Sequence, residues 1–144
     1  MTTRVDFYIV SANNENEKLE FVCRLLEKAY KQRHQIFVLC KDQTQTHALD
    51  ELLWTFKDIS FLPHNILGEG PEPPPPIQLG DTVIPNKHRD ILITLKHYQL
   101  EQPNKYRRII EVIANNEADK ENARINYRRY REINCQLHSH DLTK

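Results

Sequence analysis

Near its end the chain carries a row of side chains whose types and spacing can do chemistry. Lys120, Arg124 and Arg128 recur every fourth residue, Arg131 follows three later, and Tyr127 falls among them. The surrounding stretch, residues 118–131, reads ADKENARINYRRYR and contains no Gly or Pro. Glu117, Asp119 and Glu121 stand at its opening and arginines at its close. Anions at a helix N-terminus and cations at its C-terminus complement the helix dipole, so this order predicts a helix. Residues three and four apart are neighbours on a helix surface, which lines the cations up in one stripe beside an aromatic ring, with few acids to neutralise them. A charged run on a terminal helix is ordinarily a solvated face. The competing reading is a docking site for something anionic, because a row of like charges repels itself until an anion joins it.

Other chemistries find less support in the residues. A phosphate-binding α/β domain places glycines after its first strand, but here that loop reads SANNENEK and matches neither the dinucleotide fingerprint nor a P-loop. Gly68-Glu69-Gly70 runs into proline instead of into a helix. His88-Arg89-Asp90 echoes a kinase catalytic loop, with Leu95 where that motif needs Asn. His138 and His140 have no third ligand at a metal-binding spacing. His64 follows Pro63 at a strand end, where an α/β enzyme would keep a base, yet no Ser or Cys is spaced to join it. A structural role is the expectation for each, with no catalytic residue, cofactor or metal. Cys23, Cys40 and Cys135 lie far apart without a CxxC pair, so neither a disulfide framework nor a zinc site is expected. Cys23 and Cys40 read as small core hydrophobes.

These side chains need a scaffold, and 144 residues provide one domain with a single core, residues 1–144. Lys plus Arg and Asp plus Glu number 20 each, so the chain lacks the basic excess of a general nucleic-acid binder and the cationic stripe is a local feature. No segment approaches the roughly 18 apolar residues that span a bilayer, and MTTRVDFYIV enters a strand-like run without signal-peptide architecture. No membrane partner and a cytoplasmic location are the expectations.

Val5 to Val10 and Ile36 to Cys40 are short runs rich in β-branched and aromatic residues, the mark of buried strands. A helical pattern between them, from residue 17 to about 32, turns Leu19, Val22, Cys23, Leu26, Ala29 and Tyr30 to one side. Asp42 and Gln45 form a capping-box-like start for a second helix reaching Trp54, with Ala48, Leu49, Leu52 and Leu53 inward. Further strands are expected at 59–62, 82–84, 90–95 and 109–114. All three glycines and a run of prolines fall between Gly68 and Gly80, which predicts an extended polyproline loop. Residues from about 134 onward read as a polar tail. Strand and helix in strict alternation predict parallel βαβ units, hence a three-layer, Rossmann-like α/β domain with a mostly parallel sheet and a basic C-terminal helix. Trp54, with Phe56, Phe61 and Pro63 behind it, either forms a protein-binding hot spot or closes the core; the residues leave both open.

Several strings then resemble one family, the chi subunit of bacterial DNA polymerase III, an accessory part of the clamp-loader assembly. They are Phe7-Tyr8, Leu49-Asp50-Glu51-Leu52-Leu53-Trp54, Ser60-Phe61-Leu62-Pro63-His64-Asn65 with Gly68-Glu69-Gly70-Pro71, Arg89-Asp90-Ile91-Leu92-Ile93, and Lys120, Ala123-Arg124, Tyr127, Tyr130-Arg131. The resemblance implies a non-enzymatic adaptor in DNA replication, associated with the replisome. It implies binding of the psi subunit through Trp54, Phe61 and Pro63. It also implies binding of the acidic C-terminal tail of single-stranded DNA-binding protein through Lys120, Arg124, Tyr127 and Arg128, with Arg131 beside them. Direct contact with nucleic acid is not expected; single-stranded nucleic acid on the same basic stripe is the alternative.

Overall fold

The computed structural model describes residues 2–11, 14–55, 62–70, 73–82, 90–96, 100 and 102–143. Seven strands form one sheet: β1 (Arg4–Val10), β2 (Ile36–Leu39), β3 (His64–Ile66), β4 (Ile77–Gly80), β5 (Ile91–Thr94), β6 (Arg108–Ala114) and β7 (Gln136–Asp141). Their spatial order is β3-β4-β2-β5-β6-β1-β7, and every neighbouring pair is parallel. The helices are α1 (Glu15–Lys31), α2 (Gln43–Thr55) and α3 (Glu117–Glu132).

The order of the strands decides where the helices lie. The β1-to-β2 and β2-to-β3 crossovers, which carry α1 and α2, both run toward the β3 edge, whereas β6 to β7, which carries α3, runs the other way. Right-handed crossovers running in opposite directions must use opposite faces of the sheet. The core divides accordingly. Leu19, Val22 and Leu26 of α1 and Leu49 and Leu53 of α2 pack with Val38, Ile93 and Val112 on one face. Tyr130 and Tyr127 of α3 pack with Phe7, Ile109 and Ile113 on the other.

Local chemistry starts and stops these helices. The side chain of Asn14 accepts Glu17 N–H at 2.9 Å, Asp42 accepts Gln45 N–H at 2.8 Å, and Asn116 accepts Asp119 N–H at 2.8 Å. The Gln45 carboxamide accepts Lys41 N–H at 2.7 Å, so the capping box read from the sequence forms, with its return bond to the residue before the cap. Both α1 and α3 end in a Schellman motif: Arg33 N–H donates to Tyr30 O and His34 N–H to Ala29 O, and Asn134 and Cys135 repeat the pattern on Arg131 and Tyr130. The left-handed residues are Arg33 at φ 65° and Asn134 at φ 66°.

Three expectations need correction, and two more fall mostly outside the described residues. The residues after 134 are not a tail: Gln136–Asp141 is an edge strand whose main chain pairs with β1, and main-chain pairing needs no apolar side chains. The proline-rich loop ends sooner than its composition implies, because Ile77–Gly80 is a fully buried strand; the run IQLG alternates apolar and polar but is too short to stand out beside the prolines. Ala48 faces solvent, and Gln45, Thr46, Leu49 and Leu53 form the buried side of α2. Most of 59–62 and 82–84 lies outside the described residues, and a strand begins at His64. Gly68 and Gly70 close the following turn at φ 93° and 86°. At Gly70 a Cβ would meet the Asn65 amide nitrogen at 2.9 Å, so glycine is required there by both backbone and space.

An L-residue, whose Cβ crowds the following carbonyl at φ 65°, costs about 1 kcal/mol that glycine avoids. Arg33→Gly should therefore stabilise the protein by about 0.5–1 kcal/mol, measured as a shift of the urea midpoint at unchanged slope.

Candidate functional site

The helix read from the charge pattern is α3, and it lies over the β1–β6–β7 side of the sheet. Parallel register sets Phe7 level with both Glu111 and Ser139, and Ile9 level with Ile113 and Asp141. Alternation along β1 turns Phe7 and Ile9 toward α3 while Asp6 and Tyr8 face the other way. A groove of about 560 Å³ results. Its floor is Phe7, Ile9 and Ile113, its helical wall Ala123 and Tyr127, and Ser139 of β7 stands opposite. Lys120, Arg124, Arg128 and Arg131 form its rim, so all five side chains singled out on α3 come together. The Tyr127 ring is half-buried and lies 5.6 Å from Phe7, centroid to centroid. An apolar slot rimmed by cations suits a ligand with an apolar end and several carboxylates or phosphates.

The rim is not uniformly free. Arg124 meets Glu121 at 2.9 Å and Glu117 at 3.8 Å on its own helix, all three exposed. The stripe is therefore less self-repelling than its spacing implies, because the acids of the first turn reach one of its members. Among the described residues, Lys120, Arg128 and Arg131 make no ion pair. Sequence reasoning missed the floor. Phe7 and Ile9 are visible as strand residues, but nothing local places them beneath a helix more than a hundred residues away.

Beneath α3 sits Glu111, 3% exposed. Asn126 donates to its Oε1 at 3.3 Å, and the buried Tyr130 phenol lies against the same carboxyl. Burial pushes the Glu111 carboxyl up to about 7, with the Tyr130 and Asn126 hydrogen bonds opposing that rise. On the other face of β1, Asp6 is fully buried between Arg4 at 3.0 Å, Arg108 at 2.8 Å and His140 at 2.9 Å. Although its burial raises the pKa, these partners outweigh it and hold Asp6 below the usual carboxylate range.

The second candidate surface is at the far end of the molecule. Trp54, at the close of α2, is 58% exposed and does not close the core. Pro63 is half-buried nearby in the chain, and Phe61 lies outside the described residues. The Trp54 ring rests 4.8 Å from that of His64. His64 is buried, with Nδ1 2.6 Å from Leu62 O and Nε2 3.2 Å from Asp50 Oδ1, so the expected structural role fits it. Since α2 packs against β3 and β4 and α3 against β6 and β7, the two surfaces occupy opposite faces and opposite edges of the sheet.

The place where related folds bind nucleotides differs in kind. A cavity of about 540 Å³ lies beyond the carboxyl end of β1 between Ser11, Phe21 and Leu142, and Glu17 and Glu20 face it. Those two carboxylates outnumber Arg24, the one cation lining the cavity, which disfavours phosphate, and Asn14 already occupies a helix-terminal N–H. His138 and His140 lie on β7, and no cluster of three metal-ligating side chains occurs among the described residues. Burial raises the Cys23 and Cys40 thiols to about 12, which suits core residues and not nucleophiles. No helix among the described residues is long and apolar enough to cross a membrane.

Comparison with known proteins shows the family to which the chain belongs. Residues 1–138 match the family described as DNA polymerase III chi subunit, HolC. The chain is 37% identical to the DNA polymerase III subunit chi of Pseudomonas aeruginosa over 99% of both chains. It is 28% identical to that of Haemophilus influenzae, covering 91% of this chain and 92% of the relative. For the Escherichia coli protein the identity is 28%, covering 78% and 77%. The chain belongs to the DNA polymerase III chi subunit family.

Glu111 offers a test of how α3 is seated. Its carboxyl is ordinarily near 4.5 and stands at about 7 in the fold, so the folded state holds the proton more tightly. The stability this contributes is complete below about 4.5 and is lost as pH rises through about 7. Glu111→Gln should remove that loss: relative to wild type, the variant's melting temperature should rise between pH 5 and pH 8 in parallel scans.

Proposed function

We propose that this chi-family chain is a non-catalytic adaptor of the replicative DNA polymerase III, with one partner in the α3 groove and another at the Trp54 surface. The groove partner is the acidic C-terminal tail of single-stranded DNA-binding protein. The Trp54 partner, engaged with Phe61 and Pro63, is the psi subunit. The observation that carries the reading is the convergence of Lys120, Arg124, Tyr127, Arg128 and Arg131 on one apolar-floored groove. In this reading Phe7, Ile9 and Tyr127 receive the apolar terminal side chain. Arg124 and Arg128 take carboxylates in charge-assisted hydrogen bonds, and Lys120 adds attraction at longer range. Placement of the two surfaces on opposite faces and edges supports simultaneous engagement. Phosphates of single-stranded DNA on the same stripe are the competing reading. It is disfavoured by Tyr127, whose ring lies against Phe7 instead of standing clear for a base.

Calorimetry with the acidic tail peptide tests the groove. Arg124→Ala should weaken binding about tenfold, and added salt should weaken the wild type. Glu121→Gln, which frees Arg124 and removes a like charge, should strengthen it roughly two- to threefold. Equal affinities for wild type and Arg124→Ala would remove the site assignment, and a strong gel shift with bare single-stranded DNA would favour the competitor.

Trp54→Ala should abolish psi binding in a pull-down while leaving tail-peptide affinity unchanged. Loss of both together would indicate unfolding and not a lost contact.

A further inference from the structure

An exposed indole at the end of a helix has rotamers to choose from, and a docking surface gains from having only one of them populated, because less freedom is then lost on binding. At Trp54 the surroundings provide such a restraint. His64 presents its ring to the indole at 4.8 Å with the planes at 53°, a tilted arrangement favourable to aromatic pairs. The imidazole is itself seated between two groups: Nδ1 is hydrogen-bonded to Leu62 O at 2.6 Å, and Nε2, which makes no hydrogen bond among the described residues, has Asp50 Oδ1 in ion-pair contact at 3.2 Å. Asp50 precedes Trp54 by one helical turn, so carboxylate and indole stand side by side over the same imidazole. The His64 side chain is 1% exposed. It is therefore too deep to meet a partner and acts only through the ring above it.

We propose that His64, clamped by Leu62 and Asp50, is the positioning residue of the Trp54 surface and sets the pose in which the indole meets its partner. This rests on the assignment of that surface to psi. Asp50 is the outer half of the clamp: its side chain is 29% exposed on the middle of α2, where alanine is well tolerated. A histidine that merely filled the core would support stability and leave indole order and partner affinity alone. A positioning histidine links the two.

Trp54 is the only tryptophan in the chain, so its fluorescence anisotropy in the free protein reports the order of this one side chain. Asp50→Ala and His64→Gln should lower that anisotropy and weaken binding of purified psi roughly three- to tenfold. Tail-peptide affinity should stay at the wild-type value, which certifies the fold. His64→Phe, which keeps a ring beneath the indole, should recover part of both losses. Unchanged psi affinity in either folded variant, or lower affinity with unchanged anisotropy, overturns the positioning role. If Trp54→Ala itself leaves psi binding intact, the surface assignment falls and takes the proposal with it, an outcome distinct from failure of the clamp alone.

Discussion

The groove depends on a topological constraint. Because β1 lies between β6 and β7, the connection joining those two strands has to pass over it, and that connection is α3. Parallel pairing on both sides fixes the level of each β1 side chain, with Phe7 beside Ser139 and Ile9 beside Ile113. The helix then roofs two apolar residues of the central strand instead of lying flat on solvent-facing sheet. Remove the β7 pairing and the same helix would have a floor on one side only.

Opposite faces of β1 carry opposite kinds of chemistry. Toward α1, Asp6 is a buried charge satisfied by Arg4, Arg108 and His140, which ties β1 to both of its neighbours. A buried carboxylate with three partners is costly to break and specifies register more than it adds stability. Toward α3, the equivalent carboxyl, Glu111, has only neutral partners and is driven toward the protonated form. The apolar floor of the groove, Phe7, Ile9 and Ile113, lets the rim cations act outward. They border an apolar slot, and a charge-assisted bond made against such a wall is stronger than one in open water. Arg124 alone is damped from within its helix, by Glu117 and Glu121, and those acids also favour the helix N-terminus by sitting on its dipole.

The two candidate surfaces differ in how they are built. The groove is assembled from β1 and, about a hundred residues later, the consecutive elements β6, α3 and β7, and is defined by its cations. The Trp54 surface comes from the end of α2 and the approach to β3, and is defined by one exposed aromatic over a buried histidine. A sheet with right-handed crossovers running in both directions has helices on both faces, so one small domain presents its two candidate surfaces on opposite sides without a linker. That separation suits a bridging role better than a catalytic one.

Periodicity, charge order and one capping box made the helices, the two longer buried strands and the parallel α/β class legible, because each is a local property: apolar residues at helical spacing, Asp42 with Gln45 at a first turn, β-branched runs between turns. The cationic stripe and Tyr127 were legible for the same reason, being neighbours on one helix. Its partial neutralisation by Glu121 was within reach at i,i+3 but depends on a rotamer. Not legible were β4, whose alternating IQLG run is too short to stand out after the prolines, and β7, whose polar sequence is held by main-chain bonds to β1 that composition does not register. Nor could residues show whether Trp54 closes the core, since exposure depends on what packs around it. The sequence by itself therefore determined the class of fold and the charged edge of the groove. Its apolar floor, the clamp under Trp54 and the opposition of the two surfaces were decided only by tertiary structure, because each is a contact between segments whose register and strand order no local spacing encodes.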